Sequence, residues 1–299
     1  MINSSDMKVS VLIIGADSLV GTALMNECRR RGIPAAGTSR REHNDHIFLD
    51  LLRKTDYSTL PKAHTVFLCA GINGFAACNE NLAAAAVVNV STTIEIGTHY
   101  ITQGSHVIFL SSTAVFGGRS RAPGEKDAVS PHSTYGAFKC ATEIALLEAA
   151  DFLGGECSIV RLTKTISTAT PLLNKWITLG ARGQIIETFS DSFLSPISLS
   201  YVVSGLLEVA NQRASGIFHF SGAQTLTYFN FAKALGERGI IPAHLIRRIS
   251  QSPLTKSNRS IQCVFLAMPN TAQRLGLIPQ SVTDLLAAIC YENHREDLF

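Results

Sequence analysis

Tyr135 and Lys139 stand four residues apart in Ser133-Thr134-Tyr135-Gly136-Ala137-Phe138-Lys139. On a helix that spacing puts both side chains on one face, one turn apart. An ammonium beside a phenol favours the phenolate, so the pairing predicts a Tyr135 pKa drawn toward neutrality. A phenol left at its ordinary value of about 10 is a poor base near neutral pH, and proton transfer to or from a reacting oxygen needs that tuning. One loop upstream, Ser111-Ser112-Thr113-Ala114-Val115-Phe116-Gly117 follows an apolar run. A hydroxyl at the C-terminal end of a strand faces the crevice where ligands bind in open α/β sheets. Ser112 is therefore placed to donate to a carbonyl oxygen and hold it beside Tyr135.

A second group of residues has the character of an anion site. Gly15-Ala16-Asp17-Ser18-Leu19-Val20-Gly21 follows a short apolar run and opens a helical pattern. A dinucleotide needs a tight turn here, close backbone approach to its pyrophosphate, and the free N–H groups of a helix N-terminus. Gly15 can take the turn, Gly21 lets the helix pack closely, and Ser18 can cap the helix with its hydroxyl. The same residues also suit an ordinary strand-to-helix junction. Further on, Ala35-Ala36-Gly37-Thr38-Ser39-Arg40-Arg41 carries no carboxylate where an acid would hold the ribose 2′-hydroxyl of NAD. Ser39 and Arg40 stand there instead, and a guanidinium attracts a 2′-phosphate. NADP(H) is the expected cofactor; the other reading makes the arginines solvated loop charges. In Phe48-Leu49-Asp50-Leu51, Asp50 can accept from an adenine amino group while Leu51 packs on the ring, or Asp50 can simply cap a turn.

These groups need a frame. Val9–Ile14, residues 65–69, 106–111 and 157–162 are short apolar, β-branched runs. Helical spacing fills 18–31, about 77–102, as one helix or two, and 134–153. Strands alternating with helices predict an α/β fold, a doubly wound parallel sheet of Rossmann type. After residue 165 the pattern changes. Helical segments near 171–180, 198–212, 227–238 and 281–291 mix with short strands near 185–189 and 216–220. Residues 1–165 are read as the cofactor-binding domain and 166–299 as a smaller packed substrate lobe, with segments able to return to the main sheet.

Composition narrows the classes. Hydrophobic residues make up 46% of the 299 and charged ones 16%, which excludes a largely disordered chain. A net charge of +3 is too small for a nucleic-acid footprint. The 7 cysteines form no CxxC pair, so reduced buried thiols are expected, with neither a disulfide frame nor a metal site. No stretch near the N-terminus is long enough to span a bilayer or has signal-peptide layout, so a soluble cytoplasmic protein is expected. Trp176, at helical spacing with Leu172 and Leu173, is read as core. Lys256 and Arg259 lie in a polar segment that either reaches a substrate diphosphate or is a solvated loop.

The order of glycine turn, Asp50-Leu51, Cys69-Ala70-Gly71, Asn89-Val90, Ser111 to Gly117, Tyr135 with Lys139, and Arg161-Leu162-Thr163 resembles the extended short-chain dehydrogenase/reductase family. The resemblance covers the first 165 residues. Gly216 to Gly222 and Thr227 to Ala232 resemble, more loosely, the branch containing dTDP-4-dehydrorhamnose reductase. It implies that Ser112 orients the substrate oxygen, Tyr135 moves the proton, and Lys139 binds the nicotinamide ribose. It puts Cys69, Ala70, Gly71 and Asn89 along the adenosine and ribose channel and Thr163 beside the nicotinamide. It also implies a homodimer. The chain departs from the family at Ser18, where a GxxGxxG turn has glycine. Thr113 and Ala114 replace the acidic pair of dehydratases, the cysteine of fucose-synthase-type epimerases and the Asp-Tyr of the rhamnose-type reductase. Dehydration and 3,5-epimerisation are therefore not implied. The expected activity is NADPH-dependent reduction of a keto group on a nucleotide-linked sugar. The alternatives are a 4-epimerase that retains its cofactor and a non-catalytic NADP(H)-binding regulatory subunit.

Overall fold

The computed structural model describes residues 8–42, 45–53, 56–117, 122–250 and 264–296. They form two compact units. The first lies within Met1–Phe116, Lys126–Arg161 and Val203–Phe218, the second within Gly117–Glu125, Leu162–Val202 and His219–Phe299.

The first unit is built on a seven-stranded parallel sheet. Its strands are β1 (Lys8–Ile14), β2 (Ala35–Ser39), β3 (Ile47–Phe48), β4 (Lys62–Leu68), β5 (His106–Ser112), β6 (Glu156–Leu162) and the strand Gly216–Phe220. Their order across the sheet is β3, β2, β1, β4, β5, β6, then Gly216–Phe220. The last strand thus reaches the main sheet from far along the chain. Val11 to Ile14, Val66 to Leu68 and Val107 to Leu110 are buried runs, as a parallel sheet covered on both faces demands.

Helix α1 (Leu19–Arg30) follows β1, and Arg29 and Arg30 occupy its last turn, where cations suit the helix dipole. The stretch read as helical over 77–102 is broken. α2 (Phe75–Glu80) and α3 (Leu82–Ala86) meet at Asn81, whose side chain caps α3, and a π-turn over Val87–Ser91 leads into α4 (Thr92–Thr102). Helix α5 (Thr134–Leu153) is capped by Ser133 and ends on Gly154 in the left-handed region. Leu146 of α5, with Ile96 and Tyr100 of α4, fills the core against Leu68, Val107 and Phe109.

The second unit has its own core, in which Trp176, Phe231, Leu235 and Ile289 are buried. Trp176 stands 6.1 Å from the Phe231 ring. Its helices include Pro171–Ala181, Tyr228–Glu237 and Val282–Glu296. Strand Ile186–Phe189 pairs with Ile246–Ile249, and Lys164–Ile166 with Pro196–Ser198. The pair Leu226–Thr227 and Phe193–Leu194 is antiparallel and only two residues long. Such pairs carry no periodicity in sequence, which is why reading the chain alone passes over them. Among the described residues no helix is long and apolar enough to cross a membrane. Cys28, Cys69, Cys78, Cys140 and Cys157 are free and buried.

Candidate active site

β1 and β4 lie side by side, and from them the chain winds toward opposite edges of the sheet. Their C-terminal ends form the topological switch point, where open α/β sheets bind ligands. Gly15 turns there at φ +86, and a Cβ on it would lie 2.7 Å from the Ala70 backbone. Only glycine fits. Its N–H donates to Thr38 Oγ1 at 3.2 Å, tying the turn to the end of β2. Ser18 is the N-cap of α1, accepting from the Gly21 N–H at 3.1 Å, and its φ of −76 needs no glycine. The departure from the glycine pattern is thus accommodated by a cap. Leu19 and Val20 begin the first turn, whose N–H groups precede any helical partner. Gly21 packs tightly on the Gly15 carbonyl.

The end of β2 brings Ser39, Arg40 and Arg41 beside this turn. Ser39 is buried and its hydroxyl accepts the Arg41 N–H at 2.9 Å. Arg40 is exposed, and Arg41 reaches Asp17 at 3.8 Å. Asp50 is engaged locally: one oxygen accepts the Leu52 N–H at 3.0 Å and the other pairs with Arg53 at 3.2 Å. Leu51 is buried, and its carbonyl accepts the Thr92 hydroxyl. Asn89 spends both ends of its amide on Ile72, accepting its N–H and donating to its carbonyl, each at 2.8 Å. It thereby holds the segment after Cys69, Ala70 and Gly71. Asn89 thus holds backbone, and Asp50 is shared between backbone and Arg53. Thr163, in the second unit, is 6% exposed, and its hydroxyl has no partner among the described residues. Lys256 and Arg259 lie outside the described residues.

Ser112, Tyr135 and Lys139 come together in the first unit. Ser112 ends β5 and caps the short turn Thr113–Val115, accepting the Ala114 N–H at 3.2 Å. The first turn of α5 sits directly on that turn: a Cβ at Gly136 would lie 2.1 Å from the Ala114 carbonyl oxygen. Glycine at 136 lets this turn approach, and Tyr135 lies close enough to the end of β5 for Ser112 to lower its pKa. Lys139 is buried, donates to the Leu110 carbonyl at 2.8 Å, and lies 4.5 Å from the Phe109 ring centre and 5.8 Å from that of Tyr135. Phe75 meets the Tyr135 ring edge-on at 6.0 Å.

The expected drop of the Tyr135 pKa does not occur. Burial pushes the phenol up to about 12, against a smaller lowering by Ser112. Burial also lowers the Lys139 ammonium to about 8, partly opposed by the Glu143 carboxylate. Desolvation is the largest cause of both shifts. The arrangement provides a protonated phenol beside a hydroxyl donor, with a cation one turn below.

Reading the sequence missed Glu143, Arg161 and Ser111, which form a buried ionic cluster next to Lys139. The signal was present in part. Tyr135, Lys139 and Glu143 recur every four residues, and a carboxylate is out of place on an apolar face.

The RmlD substrate binding domain model matches residues 7–291. The methionine adenosyltransferase 2 subunit beta of Rattus norvegicus is 25% identical over 265 residues, covering 83% of this chain and 78% of that protein. The dTDP-4-keto-6-deoxy-D-glucose reductase of Streptomyces niveus is 25% identical over 227 residues, 74% of this chain and 76% of the other. Among solved structures, MoeE5 in complex with UDP-glucose and NAD superposes with a TM-score of 0.81 at 21% identity, covering 96% of this chain and 99% of that one.

Proposed function

The chain belongs to the RmlD substrate binding domain family, the dTDP-4-dehydrorhamnose reductase branch of the extended short-chain dehydrogenase/reductases, and from that premise we propose that it reduces a keto group of a nucleotide-linked sugar with NADPH. The observation that carries the reading is the assembly of Ser112, Tyr135 and Lys139 at the C-terminal end of β5.

The residues present fit a nicotinamide dinucleotide. Gly15 and the first turn of α1 offer an anion a bare backbone and a positive helix end. Arg40 and Arg41, with no acid at the end of β2, favour a 2′-phosphate. Lys139, buried at the C-terminal end of β5, would hold the nicotinamide ribose. When bound, the dihydronicotinamide supplies the hydride. Ser112 donates to the substrate carbonyl and fixes it beside Tyr135. At about 12 the phenol is protonated at neutral pH, as a proton donor must be. It gives that proton to the oxygen as the alcohol forms, and the Lys139 cation stabilises the phenolate left behind.

The test is a panel of dTDP- and UDP-linked 4-keto sugars with NADPH, followed by loss of NADPH absorbance. Turnover that depends on Tyr135 supports the reading. A Tyr135→Phe variant with full activity would sink it.

Similarity to the methionine adenosyltransferase beta subunits favours a second reading, a dinucleotide-binding regulatory subunit. On that reading NADPH binds, no keto sugar in the panel is reduced, and Tyr135→Phe leaves cofactor affinity unchanged.

A further inference from the structure

Tyr135, Lys139 and Glu143 form a row along one face of α5. The Glu143 side chain is buried, and an ionised carboxylate persists there only when paired and hydrogen-bonded. Glu143 is both. Arg161 of β6 donates from Nη2 to Oε2 at 2.6 Å and from Nε to each oxygen at 3.1 Å. The Ser111 hydroxyl donates to Oε1. Arg161 in turn lies over the Phe116 ring at 5.0 Å.

The cluster touches the strand that carries the site. Ser111 precedes Ser112, and Leu110, the residue before it, gives its carbonyl to Lys139. One carboxylate thus ties α5 to β5 and β6 at the level of the lysine. An apolar trio would do that mechanical work equally well. What the ionic cluster adds is a negative charge one helical turn from Lys139.

The groups that face Lys139 come from several elements. β5 offers the Leu110 carbonyl and the Phe109 ring, and α5 offers Tyr135 and Glu143. Cys69, just past β4, and Cys78 of α2 also act on it, and Arg161 stands behind Glu143. Burial pushes both thiols up, so they are neutral. Glu143 is the carboxylate of this set.

We propose that Glu143, clamped by Arg161 and Ser111, is a positioning residue for Lys139: it sets the lysine against β5 and supplies the counter-charge that keeps it an ammonium. The inference rests on the reading of Lys139 as a working residue of the site. Burial alone lowers Lys139, and Glu143 is the first cause that opposes it.

The titration of Lys139 tests this directly. In full-length protein labelled with ¹³C-lysine, its side-chain resonance is assigned with Lys139→Arg and followed against pH, with neither cofactor nor substrate present. The expected midpoint lies near 8 in the parent. In Glu143→Gln it falls by about one pH unit or more, and Glu143→Asp recovers most of the loss. Glu143→Gln leaves the buried Arg161 without the Glu143 charge, so a second variant guards against misfolding. Glu143→Leu with Arg161→Met removes both charges at similar volume, and its midpoint falls too, by less than in Glu143→Gln. A folded double variant whose midpoint stays where the parent's lies overturns the proposal. Failure to reduce any keto sugar would count against the reductase reading while leaving this midpoint readable, so the two failures are distinct.

Discussion

Burial moves Tyr135 up to about 12 and Lys139 down to about 8, so the two groups diverge, the phenol away from neutrality and the lysine toward it. For a reductase this is the useful direction. The phenol must arrive protonated, and the lysine must be charged when the phenolate forms. Reduction should therefore fall as pH rises through about 8, where Lys139 loses its proton. The kcat/KM profile for keto-sugar reduction, measured between pH 6 and 10, is expected to show that alkaline limb. Tyr135→Phe should cost about 10²- to 10⁴-fold in kcat, the range of general acid catalysis, with little change in NADPH affinity. On the proposed reading, Arg40 and Arg41 are the contacts that would select NADPH over NADH. Removing one charge-assisted contact to a 2′-phosphate costs about 1.5–3 kcal/mol, so Arg40→Ala should weaken NADPH by roughly 10- to 100-fold and leave NADH nearly unmoved. Fluorescence titration with both cofactors reads the ratio. A variant that leaves both affinities unchanged would make Arg40 a solvated charge.

At the scale of elements, local patterns in the sequence were legible and partnerships between distant residues were not. Helix α5 begins and ends where its serine cap and Gly154 say it should, because capping is written in neighbouring residues. The glycine turn is equally local, and Ser18 declares itself as a cap three residues ahead of Gly21. Glu143 finds Arg161 on another element 18 residues away, and no spacing rule joins them. His106 is a second case. It is fully buried on β5, and Ser158, which gives its own proton to the Ala214 carbonyl, must accept from His106 Nε2. Nδ1 is left unprotonated and without a partner among the described residues. Burial holds the imidazole down to about 4. The unfolded chain binds a proton near 6.5 that the folded protein refuses until about 4. Stability from this group is therefore whole above 6.5 and lost as pH falls toward 4, by about 3 kcal/mol in all. His106→Gln should flatten the slope of unfolding free energy against pH in that window, as urea melts from pH 7 to 4 would show. An unchanged slope would mean that other groups carry the acid sensitivity.

At the scale of the molecule, the family model spans both units, and the helices of both were legible in sequence while the shortest strands of the second were not. The first unit's long apolar strands and paired motifs carry strong patterns, whereas the second unit is assembled from strands of two to four residues. The outer face of α5 bears on how copies associate. Ala137, Ala141, Ile144, Glu148 and Phe152 are exposed and fall along one stripe, with Ile144 at 48% and Phe152 at 90%. The opposite face of the same helix carries the site and is buried in the core. A stripe of this kind is expected to be covered by its own copy across a two-fold axis, since a self-complementary apolar helix face closes into a pair. The chain should therefore run as a dimer in light scattering, and Ile144→Glu with Phe152→Glu should shift it to monomer. Because the site residues lie on the other face of α5, the monomeric variant should keep NADPH binding, with at most a modest loss of thermal stability. A parent protein that is already monomeric at micromolar concentration would remove α5 as an interface.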